Sequence, residues 1–101
     1  MAMNYMTNQI NAILINKTDN VATAIVELLQ GDRAKFRVCD EIVEIPITEK
    51  IPQYHKFAVH DIRQMELVRK YGEIIGQALR DIAQGSHVHV HNIAGPGRAE
   101  L

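Results

Sequence analysis

Apolar residues in this chain fall in short runs separated by polar stops. Ala12-Ile13-Leu14-Ile15 is the first run, and Asn16-Lys17-Thr18-Asp19-Asn20 closes it. A short apolar run with such an ending predicts a buried strand followed by a turn. From 21 to 30 the apolar positions 21, 22, 25, 28 and 29 follow the spacing of one helical face. Asp19 or Asn20 stands where a helix cap belongs, and Gly31 where a helix stops. One main helix is therefore expected near residues 20–30.

The middle of the chain alternates. Ala34-Lys35-Phe36-Arg37-Val38 and Ile42-Val43-Glu44-Ile45-Pro46-Ile47 predict two strands, with a Cys-Asp-Glu turn between them. Pro46 and Pro52 limit ladder hydrogen bonding, which places this segment at a sheet edge. Further on, Asp61-Ile62-Arg63-Gln64 is echoed by Asp81-Ile82-Ala83-Gln84, each leading into an extended segment. The echo is either a repeated turn-and-strand unit or coincidence. Short strands with a single helix make this a mostly β (α+β) domain. Residues 1–10 read as a flexible lead-in, 11–94 as the domain, and 95–101 as a tail or the start of a linker.

A chain of 101 residues, 47% of them apolar, implies one domain with one modest core. The formal net charge of −1 and an aromatic content of 5% argue against a nucleic-acid partner. No apolar run is long enough to span a bilayer, and residues 1–11 lack the pattern of a secretory signal. A cytoplasmic protein that does not engage membranes is the expectation. Cys39, the single cysteine, can form no internal disulfide and has no adjacent partner for catalysis.

His87-Val88-His89-Val90-His91 alternates strictly. On one strand its three imidazoles would share a face, with alternate Cα atoms roughly 6.6 Å apart. Val88 and Val90 would then face the core. Two imidazoles at that spacing can converge on a divalent cation. Equally, they can decorate the polar face of an edge strand. The motif supplies only part of a ligand set, which needs a third ligand or substrate oxygens and which another chain could complete.

His55-Lys56 follows the turn-prone Ile51-Pro52-Gln53-Tyr54, which predicts a loop tip. The pair could hold a carboxylate or exchange protons, or it could be an ordinary exposed pair. Lys70-Tyr71-Gly72, with Gly76 four residues on, reads as a tight corner. Its glycines would serve a positive φ or a close backbone approach. His60 reads as structural.

In order along the chain stand Asp19-Asn20-Val21-Ala22, Ile51-Pro52 before His55-Lys56, Lys70-Tyr71-Gly72 with Ile75-Gly76, and Asp81-Ile82-Ala83-Gln84-Gly85 before His87-Val88-His89-Val90-His91-Asn92. This series resembles the SAF-type small domain of the altronate/galactarate dehydratase family over roughly residues 11–93. The resemblance implies a β-clip fold and metal-assisted β-elimination of water from a sugar acid. It implies a divalent metal, Fe²⁺ in the first place and Mn²⁺ as an alternative. A large dehydratase subunit or domain would be the partner, and a homo-oligomer is compatible with exposed strand edges.

Carried onto this chain, the resemblance makes His87 and His89 metal ligands or acid/base groups. His55, Lys56, Lys70, Tyr71, Gly72, His91 and Asn92 become substrate-binding or orienting residues. Two positions depart from the family: Tyr54 and Met65 stand where glycine is usual. Two other functions remain open, the small subunit of a (2R)-sulfolactate sulfo-lyase and a non-catalytic module that binds a sugar acid or a metal.

Overall fold

A computed structural model describes residues 9–95. Most of the lead-in over 1–10 and of the tail over 95–101 lies outside those residues. The described chain forms β1 (Ala12–Ile13), β2 (Val21–Ala24), β3 (Arg33–Val38), β4 (Glu41–Pro46), β5 (Lys56–Ala58), β6 (Leu67–Lys70), β7 (Glu73–Ala78), β8 (His87–Val88) and β9 (Ile93–Ala94). These strands make a four-stranded sheet ordered β1-β2-β5-β8, a hairpin β3-β4, and a three-stranded sheet β6-β7-β9. Every pairing is antiparallel.

The mostly β expectation holds, but the helix near residues 20–30 does not form. Val21–Ala24 is instead a strand between β1 and β5, and among the described residues there is no helix. The reason lies in burial. Val21 packs into one hydrophobic cluster, while Ala22 and Ala24 pack into another. A strand covered on both faces loses its apolar–polar alternation, and adjacent apolar positions then imitate a helical stripe. Leu28, read as helical, exchanges backbone hydrogen bonds of 2.8 and 2.9 Å with Ile51. Gly31 does adopt a positive φ, +94°, but in a turn whose N–H donates to Ile47.

The β3-β4 hairpin matches its alternation and turns at Cys39, which is exposed with φ +56°. It joins the central sheet through Phe36, whose ring meets that of Phe57 edge-on at 6.1 Å. The second cluster, with Val68, Val88, Ile62 and Ile82, lies between the central and three-stranded sheets.

The echo between 61–66 and 81–86 is a structural repeat. Ile62 and Ile82 bridge each other through reciprocal N–H···O bonds of 2.8 and 2.7 Å. The Asp81 carboxylate accepts from Gln64 N at 2.8 Å, and the Asp61 carboxylate accepts from Gln84 N at 2.9 Å. Met65 N donates to Ala78 O as Gly85 N donates to Ala58 O, both at 2.8 Å. The two units thus embrace about a local pseudo-two-fold axis. Each lends a strand to the other's sheet: β5 pairs with β8, and β6 with β7.

Met65 and Gly85 hold the same turn position, with φ +76° and +84°. For methionine that backbone is strained, whereas glycine accepts it freely. A Cβ on Gly85 would come to 2.1 Å from Pro46 O, so glycine is required there on space as well. Met65→Gly is expected to raise stability by about 1 kcal/mol, because the side chain is exposed and the strain is relieved. Gly85→Ala should lower it by on the order of 3 kcal/mol. Urea unfolding of the two variants checks both signs.

Candidate functional site

Pairing of β5 with β8 builds the site. It sets Phe57 opposite His87 and Lys56 opposite Val88, so His55, just before β5, arrives beside His87. His55 Nδ1 and His87 Nε2 lie 2.9 Å apart, with one donating to the other according to tautomer. The ring of His89 stacks on that of His55 with centroids 4.5 Å apart, and lies 5.4 Å from that of His87. His55, His87 and His89 each offer a ring nitrogen, all within 4.8 Å of one another. His91 approaches His87 with a centroid distance of 5.3 Å.

The histidines do not share one continuous strand. β8 ends at Val88 and a turn follows, in which Asn92 N and Ile93 N both donate to His89 O. Val88 is buried as expected, but Val90 is exposed. Buried Asn92 fixes this turn: its Oδ1 accepts from His89 N at 2.9 Å and its Nδ2 donates to His87 O at 2.8 Å. The side chain that follows the histidine string therefore fastens two of its members. Glu49 adds a carboxylate that accepts from His87 N at 3.1 Å.

Burial, then the charges of His55, His91 and His89, hold His87 below the ordinary histidine value, against an upward pull from Glu49. For His89 desolvation is again the first cause, followed by His55, Lys56 and His91. Lys56 is lowered by burial and then by Lys70. His87 and His89 thus favour the neutral imidazole, whose nitrogen keeps a lone pair for a metal or a proton.

A second device positions Lys70. Tyr71 and Gly72 form a two-residue turn between β6 and β7, with φ +58° and +77°. Buried Asp19 clamps it: the carboxylate accepts from Tyr71 N and Gly72 N, each at 2.8 Å, and from Asn16 N at 3.2 Å. Asn20, also buried, donates to Leu67 O and accepts from Arg69 N. The Lys70 ammonium rests 4.7 Å from the Tyr71 ring centroid.

The chain matches the altronate/galactarate dehydratase SAF domain over residues 10–96. It belongs to that family. It is 41% identical over 80 residues to an altronate dehydratase of Escherichia coli, covering 79% of this chain and 15% of that protein. An altronate dehydratase of Bacillus subtilis is 38% identical over the same length, again with 15% covered. The chain is also 41% identical over 87 residues to the (2R)-sulfolactate sulfo-lyase subunit alpha of Chromohalobacter salexigens, spanning 93% of that subunit. It is therefore a small fraction of the dehydratases' length, yet nearly the length of the sulfo-lyase subunit.

Among the residues carried over from the family, His55, His87, His89 and His91 come together, with Asn92 as their support. Lys56 is not at a loop tip; it opens β5 inside the central sheet. Tyr71 and Gly72 shape the turn that carries Lys70. Gly76 serves a close approach, since a Cβ there would lie 2.6 Å from Ala94 O. The usual glycines replaced by Tyr54 and Met65 are replaced without loss of the turn, at φ +69° and +76°. His60 is exposed, with Nδ1 donating to Asp61 O. Sequence reasoning did not place His55 among the metal-ligating candidates, because only β5–β8 pairing joins it to them. It also took Asp19 and Asn20 for helix caps, although a short polar side chain that can cap a helix can equally clamp a turn.

Two outcomes follow for the metal-free chain. Asp19→Ala leaves turn N–H groups without their acceptor and should cost about 3 kcal/mol in urea unfolding, with Asp19→Asn recovering part of it. His87 and His89 titrate below 6.5 when folded and near 6.5 when unfolded. Their contribution to stability is present above pH 6.5. Below it the unfolded chain takes up protons first, so that contribution is lost as pH falls through the folded values. The urea midpoint should drop on acidification below pH 6.5, and less steeply in His87→Gln.

Proposed function

We propose that this chain is the small subunit or domain of a hydro-lyase that dehydrates a sugar acid of the altronate or galactarate type. It contributes one wall of an active site that a large subunit or domain completes. The observation that carries this reading is the convergence of His55, His87 and His89 to within 4.8 Å in a member of this family.

The donor set fits a divalent metal of borderline class. Three imidazoles, of which His87 and His89 are held below the ordinary histidine value by burial and neighbouring charges, suit iron or manganese less exclusively than zinc or copper, but they satisfy what such an ion requires. His55, His87 and His89 would hold it, Fe²⁺ by family resemblance and Mn²⁺ as the alternative. When bound, it supplies Lewis acidity toward the substrate's oxygens.

The chain's own groups account for the rest. In β-elimination the α C–H electron pair becomes the new double bond as the bond from the β-carbon to the hydroxyl oxygen breaks. Where a ring of the cluster is not engaged by the metal, its neutral nitrogen can accept the α proton and, once protonated, return it to the leaving hydroxyl, which departs as water. His91 and Asn92 orient those rings. Lys56 and Lys70 supply positive charge for a carboxylate, which favours the anionic character that develops beside it.

One observation favours a second reading. The chain spans 93% of a sulfo-lyase alpha subunit, so it matches that subunit in extent as well as in sequence. There the leaving group would be sulfite instead of hydroxide, expelled by the same α-proton abstraction.

Mixing this chain with large subunits of each kind, with Fe²⁺ or Mn²⁺, separates the cases. Dehydration of altronate or galactarate only when both chains are present is the expected result, with His89→Ala reducing the rate by about a hundredfold or more. Full activity in His89→Ala would overturn the role of the cluster. Sulfite release from sulfolactate would transfer the assignment to the sulfo-lyase. Binding of metal or sugar acid without turnover in any mixture would leave a non-catalytic module.

A further inference from the structure

Thr23 lies on β2 in the central sheet, and the strand register sets it opposite Lys56, which in turn stands opposite Val88. Direct partners on antiparallel strands project from the same face, with Cβ atoms about 5 Å apart. This is the face opposite the one shared by Phe57 and His87, because side chains alternate. Thr23 Oγ1 is buried and has no hydrogen-bond partner, a condition that no other buried side-chain polar atom among the described residues shares. Folded proteins rarely leave such a group unpaired, and it calls for an explanation.

Two lysines come from the strands around it. Lys56 is half-buried, and Lys70 comes from β6, which packs against β2. Lys70 is near enough to repel the Lys56 charge. Neither has a carboxylate partner among the described residues, whose ion pairs are Arg33 with Glu44 and Lys50 with Glu27. Asp19, the carboxylate next to the Tyr71 turn, has both oxygens engaged by backbone N–H groups. A buried hydroxyl and two like charges are thus gathered where no acceptor answers them.

We propose that Thr23, Lys56 and Lys70 form an oxyanion subsite, distinct from the histidine cluster, that receives one carboxylate or sulfonate group of a small acid. The two ammonium groups neutralise the charge and the hydroxyl donates to one oxygen. Lys56 follows His55 directly in the chain, and its charge adds to the desolvation that lowers His89. That it serves a substrate rests on the lyase reading; that it binds an anion does not.

The test is a titration of the full chain, metal-free, with propionate and with ethanesulfonate at constant ionic strength, followed by the NMR signals of the lysine side chains and the Thr23 amide. Saturable shifts at Lys56, Lys70 and Thr23 are expected. A stronger response to propionate identifies a carboxylate subsite, and a stronger response to ethanesulfonate a sulfonate subsite. Lys56→Met should weaken binding at least tenfold, and Lys70→Met by a smaller factor. Thr23→Val should weaken it a few-fold while raising the melting temperature, since it removes an unpaired buried hydroxyl.

Shifts that do not saturate, shifts centred on the histidines, or unchanged affinity in Lys56→Met would overturn the subsite. His89→Ala should leave anion affinity intact, and Lys56→Met should leave binding of Mn²⁺ intact. Loss of the metal site and loss of the anion site are therefore read separately.

Discussion

Antiparallel pairing of β5 with β8 is the contact on which the rest of the candidate site depends. It brings His55 against His87 across a long stretch of chain, and closing such a stretch costs conformational entropy before any contact repays it. The repayment comes from reciprocity. The strand that β8 contributes to the central sheet is matched by the strand that β6 contributes to β7, and the Ile62–Ile82 bridge sits between the two exchanges. Either unit alone would present an unpaired edge. Together they satisfy each other's backbone groups and enclose a common cluster of Val68, Ala78, Val88, Ala58, Ile62 and Ile82. The pseudo-symmetry that stabilises the fold thereby also fixes the register in which the histidines meet.

The chemistry sits where the symmetry is broken. At equivalent places in the two units stand Val68 and Val88, both buried, but Leu67 precedes the first and His87 the second. The first unit runs on through Arg69 and Lys70 into a two-residue turn clamped by Asp19. The second leaves its strand after Val88 and folds into the turn held by Asn92. One unit thus presents ammonium groups and the other imidazoles. The same backbone plan carries two kinds of donor to neighbouring positions.

How much of this was legible in the sequence follows from the range of the interactions involved. Local alternation marked β3 and β4 correctly, since those strands pair across a short turn and their pattern is self-contained. Val21–Ala24 was misread because its burial on both faces is a property of its neighbours. Asp19 and Asn20 looked like helix caps because capping and turn-clamping use the same short polar side chains, and only the distant partners at 67–72 tell them apart. Composition and spacing alone singled out the histidine string, whose members do lie together in the fold. Its strand geometry failed at Val90, since Asn92 competes for the backbone of His87 and His89 and bends the chain after one valine. His55 as a third member, and Thr23 as an orphan, arise from strand register and had no local signal.

On the proposed function, the charge arrangement bears on why a second chain would complete the site. Three imidazoles, with His91 beside His87, gather at the β5–β8 pairing, where Lys56 projects from the opposite face to His87 and Glu49 accepts from the His87 backbone. Burial first, and then the charges of their neighbours, lower the proton affinity of His87, His89 and Lys56. A surface of this kind is stabilised by whatever brings negative charge to it, and an elimination needs such charge twice: in the substrate's acid group and in the electron density that develops as the α proton leaves. The family's sulfo-lyase alpha subunit is similar in extent to this chain. On the proposed function, a second chain completing this surface would bring oxygen donors, with cations supplied from this side. That division suits a reaction in which an acid is held by one chain and enclosed by another.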